Sequence, residues 1–304
     1  MTTLLQSSDL YDARPVKGWL PWGALAPFLA LAFVIASQLA GLPLIKPLVA
    51  LDPLGNPLEA YALFAYTLVP FGLLGLIVLA WVHFVERRPF GSIGLQARPK
   101  SFAWGHAVGM VSITGIVALL WLSGGLHRTG EATAWSSPAW LASIGLLLIG
   151  FAVQSSVEEL LFRGWLLSVL AKKFNVLIGV IVSSLLFALL HFTRGEPWLV
   201  NVCDFAFGVF ACAWALRYRS ILGVMGWHAG WNWLLAVGFG LPLTGIDVGI
   251  PALLVDLQAR GPQWLSGGAE GPEGSVFFLA ACALAVTWLL LRPKPGALRV
   301  SHGP

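Results

Sequence analysis

Apolar positions in this chain come in long runs rather than in stripes. A helix needs about 20 apolar residues to cross a hydrocarbon slab roughly 30 Å thick, and eight stretches approach that length. They fall at about 19–41, 60–84, 102–124, 138–171, 175–192, 198–217, 220–240 and 274–291. The pattern predicts an all-α fold, a polytopic membrane helix bundle with about eight transmembrane helices. The fifth and seventh runs are short and broken by polar residues. The first is long, and Asp9 and Asp12 ahead of it offset Arg14 and Lys17, so it reads as an uncleaved span and not a signal peptide. Three regions follow: 1–137, the first spans with a basic loop; 138–240, a helix core; and 241–304, an outer loop with the last span.

Composition narrows the class. Of 304 residues, 58% are hydrophobic and 11% charged, where a soluble domain carries roughly 25% charged residues. That excludes a soluble enzyme, and with it disorder, collagen, a coiled coil and a secreted disulfide scaffold. Net charge is +4, too small an excess to indicate nucleic acid as a partner. The bases sit at the ends of the runs, and they alternate. Thirteen, from Arg14 and Lys17 through Arg87, Arg88, Lys172 and Lys173 to Arg299, fall on one side. Four, Lys46, Arg128, Arg194 and Arg260, fall on the other. Basic loops stay inside, so both termini are expected in the cytoplasm and the chain in the cell (inner) membrane.

Two loops stand apart. Residues 86–100 are basic with scattered apolar positions, and are expected along the inner headgroup layer beside membrane lipid. Residues 241–273 are rich in Gly and Pro and enclose a short apolar run at 250–255, expected as an outer interfacial or re-entrant piece. Cys203, Cys212 and Cys282 lie in apolar stretches without a C-x-x-C spacing and read as small buried hydrophobes.

Ionisable groups inside spans are costly and mark function or a bundle-interior pair. Here they gather in the carboxy-terminal half: Glu158, Glu159 and Arg163 in the fourth run, His191 ending the fifth, Asn201 and Asp204 opening the sixth, His228 and Asn232 in the seventh. At about 1.5 Å per residue from the inner anchors, Glu158, His191, His228 and Asn232 reach about 21, 24, 14 and 20 Å deep, near enough in level to share a cavity. Glu159 and Arg163 are spaced i,i+4 and can pair. Glu158 points about 100° away and lacks that partner, which suits a general base with a raised pKa. His228 and Asn232 also share a face, and Gly226 and Gly230 beside them admit a close neighbour helix. A structural buried pair, and hydrogen-bonded helix glue, remain the plain alternatives for these last two sets.

Three motifs follow in order: Glu158-Glu159-Leu160-Leu161-Phe162-Arg163-Gly164 (E-E-x-x-F-R-G), Phe187-Ala188-Leu189-Leu190-His191 (F-x-x-x-H) and His228-Ala229-Gly230-Trp231-Asn232 (H-x-x-x-N). Over residues 138–240 the chain resembles the CPBP family, the CAAX-prenyl-endopeptidase and bacteriocin-processing intramembrane metalloproteases, also called Abi proteins. Gly208 stands where that family tends to have glycine, whereas Cys212 and Arg219 replace two more. The resemblance implies hydrolysis of a peptide bond in a membrane-associated, hydrophobic or lipidated protein or peptide. Carried over, Glu158 with His191 activates water, Glu159 is held by Arg163, and His228 with Asn232 steadies the oxyanion. The cofactor stays open between zinc and none; the candidate ligands are Glu158, His191 and His228, without an H-E-x-x-H motif. A non-catalytic peptide-binding or bacteriocin-immunity protein of the same fold is the competing reading. A transporter is disfavoured, because no internal repeat is evident.

Overall fold

The apolar runs become helices, and small capping residues set the starts of three of them. A computed structural model describes residues 11, 16–51, 57–96, 99–192, 196–244, 246–247 and 249–292. The expectations resting on Asp9, Asp12, Arg14, Arg98, Arg194, Lys294 and Arg299 lie outside those residues. The helices are α1 (Ala26–Ile45), α2 (Ala60–Ala80), α3 (Pro99–Leu122), α4 (Pro138–Glu159), α5 (Leu167–Lys173), α6 (Val176–His191), α7 (Trp198–Tyr218), α8 (Leu222–Trp233), α9 (Gln263–Ser266) and α10 (Val276–Leu291). Ser137 caps α4 ahead of Pro138 at its first position, Asn175 accepts from the Ile178 amide at 2.9 Å, and Ser275 accepts from the Phe278 amide at 3.2 Å. Each supplies an oxygen to an amide that the first turn leaves unpaired.

The fold is 73% helical, and the one sheet among the described residues has two strands. Among the described residues, five helices are long and apolar enough to cross a membrane: Ala26–Ile45, Ala60–Val85, Pro99–Leu122, Pro138–Lys173 and Trp198–Tyr218. Three expected spans come out short: α6 and α10 have 16 residues each, and α8 has 12 before it loosens into a π turn at Leu234–Gly238.

Glycines bring α3 and α8 together at backbone distance. A Cβ on Gly226 would stand 2.0 Å from the Phe102 carbonyl oxygen, and one on Gly230 would stand 2.2 Å from that of His106. The expected close neighbour is therefore α3. From the other side, Gly105 and Gly109 meet the Gly223 and Trp227 carbonyls at 1.9 and 2.1 Å on the same construction. Small residues at such a crossing let dispersion contacts replace the missing hydrophobic drive between apolar helices.

Between α4 and α5 the helix widens to a π turn over Leu160–Leu166. Hydroxyls from elsewhere serve two of its carbonyls: Ser183 of α6 donates to Phe162 O at 2.9 Å, and Tyr11 donates to Arg163 O at 2.5 Å. Part of the segment expected along the headgroups packs into the protein. Glu86 and Arg88 are buried as an ion pair, with Trp165 Nε1 donating to Glu86 at 2.7 Å and Arg88 donating to Ser168 Oγ at 2.9 Å. Ser92 and Ile93 are buried behind them. The pair neutralises its own charge and serves an acceptor of α5 and a donor of the π turn, so burial is tolerated.

The loop after α8 forms a tied roof. Strand β1 (Leu126–Gly130), following α3, pairs antiparallel with β2 (Asp256–Ala259). The Leu253 and Leu254 amides bond to the Val237 and Gly238 carbonyls at 2.7 and 2.9 Å, and Trp135 donates to the Leu253 carbonyl. The apolar run at 250–255 is thus pinned onto the end of α8 and across to the loop before α4.

Candidate active site

Two adjacent glutamates end α4, and the helix turns them to different neighbours. Glu159, fully buried, accepts on Oε1 from Arg163 Nη1 at 2.9 Å and lies 3.0 Å from His228 Nδ1. A carboxylate only accepts, so Nδ1 of His228 carries hydrogen and Nε2 faces the other way. There Glu158 Oε2 stands 3.8 Å off, too far for a direct hydrogen bond. Arg163 is enclosed as well, its guanidinium 4.4 Å from the Phe187 ring centre and 4.9 Å from that of Phe207. Removing it would leave Glu159 as an unpaired buried charge, at a cost of about 3–5 kcal/mol.

Glu158 has a partner that the sequence reading overlooked. Gln154, one turn earlier on α4, donates from Nε2 to Glu158 Oε1 at 2.7 Å. Its own Oε1 accepts from Ser155 Oγ at 3.0 Å and from Asn232 Nδ2 at 3.2 Å, and Asn232 reaches Ser155 Oγ at 3.4 Å. Gln154 and Glu158 are related by the same i,i+4 spacing that identified Glu159 and Arg163, so the signal was available. His191 closes α6, with Nδ1 2.9 Å from the Phe187 carbonyl. A carbonyl only accepts, so this nitrogen too carries hydrogen.

Glu158, His191, His228 and Asn232 line one cavity of about 620 Å³. Gln154, Tyr66 of α2, Gln38 of α1 and Asp204 of α7 also line it, and Thr244, Asp247, Glu270 and Glu273 of the roof complete it. Glu159 and Arg163 stand behind that wall. Glu273 accepts from Trp231 Nε1 at 2.9 Å and from Thr244 Oγ1 at 3.2 Å, and its burial pushes its pKa up. The loop around Glu273 carries no periodic signal, so only long-range folding brings it here. Asp204, expected near the outer end, faces the same space.

The stretch from Ser137 to Leu234 holds every one of the motif residues. Residues 137–234 match the type II CAAX prenyl endopeptidase Rce1-like family. That is the family type the three motifs resemble, and it is a family of membrane proteases. No curated protein and no solved structure matches the chain. Within the Rce1-like segment, the two residues that depart from the expected glycines differ in consequence. Cys212 is buried against Leu167 and Val176. Arg219 ends α7 at φ 51°, ψ 35°, the left-handed cap that glycine adopts without strain.

The zinc set of the Rce1-like segment does not assemble as placed. Ligands at about 2.0–2.2 Å from one ion stand within about 3.5 Å of each other. Among the described residues, no group of three His, Cys, Asp or Glu is placed to hold a metal ion. Glu158 and His228 approach that spacing as a pair, while His191 is turned to its own helix carbonyl.

Proposed function

We propose that the chain is an intramembrane endopeptidase that hydrolyses a peptide bond in a membrane-associated or lipidated protein or peptide, with Glu158 as the base. One observation carries this: the acceptor Glu158 Oε2, buried and without a hydrogen-bond partner, stands 3.8 Å from His228 Nε2 on a cavity wall that His191 and Asn232 share. That separation admits a bridging water at about 2.8 Å from each atom, on the cavity side of the line joining them. The match to a membrane protease family supports the same reading.

In this mechanism Glu158 takes a proton from the water as its oxygen bonds to the substrate carbonyl carbon. His228, oriented by Glu159 through Nδ1, presents Nε2 to the developing oxyanion, donating when protonated. The carbon–nitrogen bond then breaks, and the leaving amine takes the proton held on Glu158. Asn232 acts through Gln154 and Ser155, whose bonds hold Glu158 in one rotamer. His191 borders the substrate across the cavity. The roof covers a site where each of these interactions gains strength away from bulk solvent.

We further place eight spans in the membrane with both termini inside. The β1–β2 pairing supports the parity, because it joins the loop after α3 to the loop after α8, four helical passages later.

The test compares new amino-termini in membranes holding equal amounts of wild type and Glu158→Gln. Termini present with wild type and absent with the variant are expected, since the amide keeps the shape and cannot take the proton. Identical profiles would sink the protease reading in favour of peptide binding.

A further inference from the structure

Acceptors dominate the cavity wall. Five carboxylates line it, Glu158, Asp204, Asp247, Glu270 and Glu273, and among the described lining residues there is no Lys or Arg. The chain as a whole carries four more positive than negative charges, so this local sign is the reverse of the protein's. Asp204 lies in electrostatic range of His191 as well as of Glu196, Glu270 and Glu273, and its Oδ2 is buried with no hydrogen-bond partner among the described residues.

Two acceptors on the same wall, Glu158 of that set and the neutral Asn232 outside it, are enclosed and unpartnered among the described residues. Glu158 is 6% exposed and Asn232 is 3% exposed, and Glu158 Oε2 and Asn232 Oδ1 meet no donor among the described residues. An unpaired buried acceptor has lost its water without replacement, and a ligand that donates here restores the lost bond. Burial raises the pKa of Glu270 and of Glu273, and the like charge of Glu196 adds to the rise at Glu270. A cation brought between them opposes that rise. A metal ion is a poor candidate, because no three ligands converge. A long basic side chain fits better: its stem lies along apolar wall such as Leu190 and Phe207 while its head reaches the carboxylates.

We propose that this cavity selects a peptide with a Lys or Arg side chain close to the bond cut, the charged head held by Asp204 and Glu270 while the peptide bond lies at Glu158. The proposal rests on the protease reading and names the substrate class for it. An acidic side chain in the same space meets like charge.

New amino-termini are mapped in membranes holding wild type, Glu158→Gln, or the double variant Asp204→Asn with Glu270→Gln. Glu158-dependent cuts are expected to carry Lys or Arg within about four residues, the span of roughly 14 Å of extended chain. One such substrate then enters a cycle in which its basic residue becomes Ala. Wild type is expected to cut the Ala form about tenfold more slowly, the scale of one close charge pair, whereas the double variant cuts both forms at one common rate. A misfolded variant lowers both rates together and leaves their ratio intact, so the ratio reads the charge contact alone. Glu158-dependent cuts without basic neighbours, or a ratio equal in both enzymes, overturn the charge selection and leave the protease standing. Absence of any Glu158-dependent cut overturns both.

Discussion

Glu159 is the residue on which the site turns, although it does not line the cavity. One oxygen serves Arg163 and His228 together, so a charge on α4 fixes both the guanidinium beside it and the imidazole on α8. Its i,i+4 link to Arg163 was legible from spacing, and its link to His228 was not, because that contact depends on how α4 meets α8. Glu273 shows the opposite case, a titratable group that the roof imposes on the cavity. Its pKa is raised by burial, so the folded protein holds a proton that the unfolded chain releases above about pH 4.3. Stability therefore falls as pH rises from that value through the raised one. Melting measured in detergent is expected to show this loss in wild type and to show it weakened in Glu273→Gln, which still accepts from Trp231. An equal slope in both proteins would remove Glu273 as its source.

At the scale of elements, the runs of apolar residues located the helices well. The expected 60–84, 138–171 and 198–217 emerge as Ala60–Val85, Pro138–Lys173 and Trp198–Tyr218. Runs cannot report a change of helix type, since the π turn at Leu160–Leu166 is as apolar as the helix it interrupts. Nor did the flanking pattern show that Tyr11 and Ser183 supply its hydroxyls from distant positions. The α3–α8 crossing carries His228 and Asn232 into place and leaves no room for a side chain. Gly226→Val is expected to destabilise by about 1–3 kcal/mol, the usual cost of overpacking, and to reduce Glu158-dependent cleavage with it. Gly115→Ala, on α3 where nothing lies within 4 Å, is expected to leave both unchanged. Thermal melting and terminus mapping on the two variants decide it, and equal behaviour would refute the crossing as the cause.

The whole molecule is a helix bundle closed at one end by the two-stranded sheet. Neither strand was legible, because each is four or five residues long and finds its partner far along the chain. Charge counting and the sheet nevertheless agree on which loops share a side. Arg128→Cys and Arg260→Cys are expected to react with an impermeant thiol reagent from one face of the membrane, and Lys173→Cys only from the other. Labelling of all three from one face would refute the eight-span arrangement. The sheet also sets a calendar for biosynthesis. Ribosomes deliver chains from the amino end, so β1 emerges long before β2, and Glu158 is in the membrane before Glu273 has been made. The nascent chain holds Glu158 under an open roof. Only when the last long loop has been made does the clasp shut over the cavity, so the order of synthesis itself leaves an unfinished chain without the Glu273 side of its cavity.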